Sequence, residues 1–181
     1  MTALARMTCT AIVCATLGIS AALGVDVALA QQTTMGCASE QRPNGTQTLR
    51  CRGDLIIVAE DGAKFTLQSH NKNGDVDAVD LQSKALLVDA PKQKGKNRVQ
   101  VITPQAIAAV RGTKWAVDAQ ESRTSVLVLG GRVAVRRPTG TGQVVLGPGE
   151  GVDVDRGSTD PLVVKRWPQP RVDALLARLG Q

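Results

Sequence analysis

Serine or cysteine hydrolysis needs a base beside the nucleophile, most often a histidine. The chain has one histidine, His70, in the polar run Ser69-His70-Asn71-Lys72-Asn73-Gly74. The expectation there is an exposed loop histidine with no catalytic role. Paired carboxylates can also do acid–base work, as in glycoside hydrolysis. Asp75, Asp77 and Asp80 follow in the same Gly/Asn-rich region, but no aromatic residue stands nearby to seat a sugar. The alternation Asn71, Asn73, Asp75, Asp77 offers oxygen ligands in the manner of a calcium loop. It lacks the mid-loop glycine and the closing bidentate glutamate, so a solvated turn is expected. No enzyme, no cofactor and no metal site are therefore expected.

Cys37 and Cys51 are the remaining chemically active pair. Cys9 and Cys14 fall in an N-terminal stretch with a cation at Arg6, an apolar run from about Ala11 to Val25, and the small-x-small pattern Val27-Ala28-Leu29-Ala30. That order reads as a cleavable secretory signal over residues 1–30. The apolar run is diluted by Thr, Ser, Gly and Ala, which argues against a spanning helix. Neither later cysteine follows the small-residue run of a lipid-attachment signal. Export to an oxidising compartment makes Cys37 and Cys51 a disulfide. Closing a loop of about 15 residues stabilises by roughly 3 kcal/mol in the chain-entropy view. A zinc site would need four ligands, which one histidine and two cysteines do not supply.

The charge balance is 22 basic against 16 acidic residues, a net +6. Losing residues 1–30 removes one of each and leaves it unchanged. Nucleic acid is a poor partner for an exported chain whose only aromatics are Phe65, Trp115 and Trp167. Anionic envelope polymers or headgroups suit it better, although basicity also serves solubility. The densest cationic run is Lys92-Gln93-Lys94-Gly95-Lys96-Asn97-Arg98. Lys92, Lys94, Lys96 and Arg98 are thus candidate anion contacts, on a run that otherwise reads as a solvated hairpin loop.

Residues 31–53 form a polar, disulfide-closed segment with a turn at Pro43-Asn44-Gly45. From residue 54 to 168 the chain repeats short β-branched runs broken by Gly, Pro, Asn and Asp. Strands are expected at 55–59, 64–68, 85–88, 98–103, 115–119, 125–129, 133–137, 143–146 and 152–155. The fold class is all-β: a short solenoid-like roll or a sandwich, with a C-terminal amphipathic helix over 169–181. Leu129-Gly130-Gly131 before Val133 and Val135 is echoed by Leu146-Gly147-Pro148-Gly149 before Val152 and Val154, a spacing that favours a solenoid coil. In the helix Val172, Leu175, Leu176 and Leu179 share one face, Arg171 and Arg178 face elsewhere, and the helix is expected to cap an open end.

Three elements stand out in order: Ile102-Thr103-Pro104, then Val110-Arg111-Gly112-Thr113-Lys114-Trp115, then Gly147-Pro148-Gly149-Glu150-Gly151. With the valine-rich runs between them, this succession over about residues 99–156 resembles the FecR domain family. Periplasmic regulators of iron-uptake signalling carry that domain, and the resemblance implies a short β-solenoid-like roll. Gly112 would take positive φ or let a neighbouring coil approach. Arg111 would tie coils together, with Glu150 as its expected partner. Thr103 and Thr113 would close turns through their hydroxyls. Thr103, Pro104, Arg111, Gly112, Thr113, Gly149 and Glu150 are read as residues of the fold more than of a site. The family's regulators also carry a sigma-factor-binding segment, a membrane span and a further C-terminal domain. Here a signal replaces the first two and a short helix stands in for the third, so sigma-factor regulation does not carry over.

The expected function is that of a soluble periplasmic module without catalysis, binding an unidentified periplasmic or outer-membrane protein, or an envelope partner. It would relay an envelope or iron-related signal, and an exposed strand edge or apolar groove would mark it. The rival is a passive structural module holding anionic envelope polymers through the lysine-rich run. A hydrolase is the third and most remote reading.

Overall fold

The computed structural model describes residues 33–70, 73–91, 98–110, 112–140 and 142–181. The expected signal (1–30), Asn71, Lys92, Lys94, Lys96 and Arg111 lie outside the described residues. In chain order the strands are β1 (Thr33–Thr34), β2 (Cys37–Gln41), β3 (Gln47–Cys51), β4 (Leu55–Ala59), β5 (Lys64–Gln68), β6 (Ala78–Ala90) and β7 (Val99–Ile102). They continue as β8 (Ile107–Val110), β9 (Thr113–Ala119), β10 (Arg123–Gly130), β11 (Val133–Arg136), β12 (Gln143–Leu146), β13 (Glu150–Asp155) and β14 (Lys165–Arg166). One helix, α1 (Gln169–Arg178), closes the chain.

The strands form one curled sheet whose two halves share β6. Half A runs β1-β2-β3-β4-β6-β9-β10-β13-β14, antiparallel throughout. Half B runs β5-β6-β7-β8-β11-β12, with β6–β7 its one parallel pair. The long strand turns from one half to the other near Lys84, which takes a positive φ of 66°. The polar Gln82-Ser83-Lys84 at this bend makes the sequence read as a short strand at 85–88, when the strand begins at Ala78.

Between the halves lies the core. In half A, Leu49, Ile57, Val88, Trp115 and Val128 face inward in one register row. Half B answers with Leu67, Val79, Val101, Ala108 and Val135. Trp115 is fully buried there.

The all-β expectation with a C-terminal helix holds. The glycine echo has another origin than a coil repeat. It marks the two crossings between halves, from β10 to β11 and back from β12 to β13, and the pairing around it is antiparallel. The polar segment 31–53 supplies three strands of half A. The Cys37 and Cys51 sulfurs are bonded across β2 and β3, where the two residues are register partners.

The helix does not cap an open end. Strand alternation sends Val58, Leu87, Ala116 and Leu127 to the outer face of half A, in a row that continues to Gly151. Leu175 of α1 and Leu179 just after it, with Trp167, pack on that row as a second apolar cluster. No described helix is long and apolar enough to cross a membrane.

Candidate interaction face

The family-motif residues shape the turns that hold half B together. Thr103 Oγ1 accepts the Ala106 N–H at 2.9 Å and lies 2.8 Å from Thr124 Oγ1, whose hydroxyl donates to Gln105 Oε1 at 2.7 Å. This buried network closes the β7–β8 turn over Pro104, which is itself exposed. Thr113 Oγ1 donates to the Arg132 carbonyl at 3.2 Å, joining the start of β9 to that of β11. Gly112 has φ of +71°, as expected, and its carbonyl lies 2.7 Å from where a Gly131 side chain would begin. That approach leaves no room for a Cβ. Gly149 also has positive φ, 77°. Glu150 Oε2 accepts the Gly147 N–H at 2.7 Å, fastening its own turn.

Two outer faces result, and α1 covers one. A polar row borders the helix's apolar contacts on half A: Ala85, Asp118, Ser125 and Asp153 are register partners, with Glu60 bonded to the Ala85 backbone. Arg178 and Arg171 reach this row. The sequence reading turned both away from the sheet, yet their long stems run beside the apolar stripe while the guanidiniums find carboxylates. Arg178 forks onto Asp118 at 2.8 and 3.1 Å and onto Glu60 at 2.6 and 3.0 Å. Those bonds, to Asp118 first and then Glu60, raise its pKa. Arg171 grips Asp153 at 2.5 and 3.0 Å and stacks 3.5 Å over the Trp167 ring. Burial pushes the Asp153 carboxyl up, but bonds from Arg171 and Ser125 outweigh it and hold it below its ordinary value.

The outer face of half B carries no such cover among the described residues. One row there runs Asp80, Ile102, Ile107, Arg136 and Gln143, and the row beside it runs Ala78, Gln100, Ala109, Ala134 and Val145. Among the described residues its last strand, β12, pairs with β11 alone, and its other edge has no partner strand. The residues of β12 are Gln143, Val144, Val145 and Leu146, without charge or proline, and Val145 is 53% exposed. Most edge strands carry a charge, a proline or a bulge that discourages pairing. Beside the N-terminal end of β12, a cleft of about 620 Å³ opens between residues 137–142 and 155–162. Arg137 lines it, and its Nε is buried without a partner.

Other candidate residues fall elsewhere. Arg98 is exposed just before β7 and has no ion pair among the described residues. His70 sits 2.8 Å from Asp77 at the surface, with no nucleophile in the pair. The bare face and the Arg171 and Arg178 clasps were missed from sequence, because each depends on register across four strands.

Architecture and turns together define an all-β domain built on one curled sheet. Residues 63–134 match the family model described as FecR protein. The match starts earlier than the motif-based estimate of 99–156 and stops before the Gly-Glu-Gly element, leaving β12 and α1 outside it. The fold is similar to two crystal structures, at 1.65 and 2.50 Å, of a candidate anti-sigma factor from Parabacteroides distasonis ATCC 8503. TM-scores are 0.58 and 0.59 at 19% identity, covering 76% and 77% of this chain and 64% of each of those chains. At that identity the likeness is one of fold, and the chain spans less than two thirds of those proteins' length. No curated protein matches it.

Proposed function

We propose that this chain is an exported, non-enzymatic FecR-type module that takes an extended segment of a partner protein onto the free edge of β12 and relays a signal at the bacterial envelope. The carrying observation is the uncharged edge of β12, with Val145 exposed on it and no partner strand beyond it among the described residues. Strand addition draws affinity from main-chain bonds and specificity from alternate side chains. A segment running along β12 toward its N-terminal end would meet the cleft, where a carboxylate could satisfy Arg137. Export is supported by the charged, apolar and small-residue order of residues 1–30. A signalling role is supported by the FecR match and the fold shared with a candidate anti-sigma factor. Iron uptake is the setting that the family resemblance adds.

The test is site-specific photocrosslinking of the full chain, expressed in bacteria, from position 145 and from position 64 on the opposite edge strand. One dominant protein joined at 145 and absent at 64 supports the reading. Equal capture from both positions, or capture only of anionic polymer that disappears at moderate salt, overturns it.

A further inference from the structure

Half A carries a third row on its outer face, beyond the apolar contacts of the helix. Arg50, Ile56, Asp89 and Lys114 are register partners across β3, β4, β6 and β9. A cavity of about 160 Å³ opens there, and Arg42, Thr48, Arg50, Asp89 and Lys114 line it. At about 30 Å³ per water this is the space of roughly five waters. It suits a small ion.

Two observations mark it as unfinished. Thr48 is only 1% exposed, yet its hydroxyl has no hydrogen-bond partner. Native folds leave few buried polar atoms in that condition. The side chains of Arg42, Arg50 and Lys114 also form no ion pair among the described residues, although Asp89 lines the same cavity. Along the same face Arg171 and Arg178 are matched to carboxylates. Among the charged side chains that line this corner, Arg42, Arg50 and Lys114 stand against Asp89, with Gln181 closing the rim.

We propose that the cavity binds a tetrahedral oxyanion that still carries a proton: phosphate, free or as a monoester group. Arg42, Arg50 and Lys114 supply charge and donors, the guanidiniums in the fork geometry that suits phosphate. Thr48 donates its unused hydroxyl. Asp89, which would repel a bare anion, accepts a hydrogen bond from the P–OH. Inorganic phosphate keeps that proton near neutral pH, and monoesters, with a second pKa of about 6, keep it in part. Sulfate and phosphodiesters do not.

The experiment is calorimetric titration of the full chain with inorganic phosphate and with sulfate, at matched ionic strength and pH 6.5. Saturable phosphate binding is expected, with sulfate weaker by about tenfold or more, as loss of one charge-assisted bond implies. Arg50→Ala with Lys114→Ala abolishes binding, and Arg132→Ala leaves it unchanged. Asp89→Asn brings sulfate level with phosphate, a result that general loss of basicity does not produce. Thr48→Val weakens phosphate while leaving thermal unfolding in place. Competition by phosphatidic acid vesicles, but not phosphatidylglycerol vesicles, shows that the site accepts a lipid monoester. No competition by either assigns the site to soluble phosphate. Equal binding of sulfate and phosphate by the unmodified chain overturns the proposal, as does indifference to the Arg50/Lys114 double change.

Discussion

The two outer faces of the curled sheet are built by the same alternation and finished differently. On half A, α1 covers the apolar row, and Arg171 and Arg178 bind the acids bordering it. On half B, rows that mix Ile, Ala and Val with Asp80, Gln100, Arg136 and Gln143 end in an uncharged edge with no partner strand among the described residues. The covered face has its partner within the chain. A difference of this kind locates interaction better than hydrophobicity does, because scattered exposed apolar residues are ordinary. Val163 is as exposed as Val145 and Met35 somewhat less so, but both stand outside strands.

The contrast can be broken first from the covered side. Leu179 is fully buried against half A. Leu179→Ala is expected to destabilise by about 2–5 kcal/mol, the range for an emptied leucine site. Urea unfolding measures it, and a cost near zero would mean that α1 is not docked in solution. Gly151 gives a second handle, since a Cβ there would overlap the Trp167 indole. Gly151→Ala should cost about 1–3 kcal/mol through overpacking. Pairing it with Trp167→Ala should recover part of that loss. Independent, additive costs would separate the Gly-Glu-Gly turn from the helix.

The clasps come next in size. Arg178→Ala leaves Asp118, nearly buried, with only the Gln120 amide as a side-chain donor among the described residues, at about 1–3 kcal/mol for lost charged hydrogen bonds. Asp153 adds a pH dependence. Its folded pKa lies below the unfolded value, so its contribution is whole above an unfolded pKa of about 3.9 and is lost as pH falls toward the folded one. Acid titration of stability should therefore be shallower in Arg171→Ala than in the unmodified chain. Identical acid limbs would remove Arg171 as the group holding Asp153 down.

Legibility in the sequence followed the same division. Strands 55–59, 64–68 and 143–146 are bounded as their β-branched alternation predicts. The strand Ile107–Val110 was missed because Ala106, Ala108 and Ala109 hide the alternation in small side chains, as a close approach of backbones requires. The 37–51 hairpin was missed because an edge hairpin can be polar. The helix was placed correctly and its basic residues were not, since Glu60, Asp118, Ser125 and Asp153 come together only through pairing distant in sequence. Periodicity reports a residue's own strand and is silent about the neighbour's register.

The smallest expected effect on stability tests the open side. Val145 makes its exposed contacts with solvent, so Val145→Lys should alter unfolding by less than about 0.5 kcal/mol. A lysine on a free edge is also the device that keeps strands from pairing. The variant should therefore fold as the unmodified chain does and lose the partner joined at position 145. Leu179→Ala should do the reverse, lowering stability while partner capture persists at temperatures where the variant remains folded. If Val145→Lys costs as much as a core change, half B is covered in solution, by a second copy or by residues 92–97. If it keeps its partner, the edge of β12 is not where recognition occurs, and the bare face with its Ile102–Ile107 pair becomes the surface to alter next.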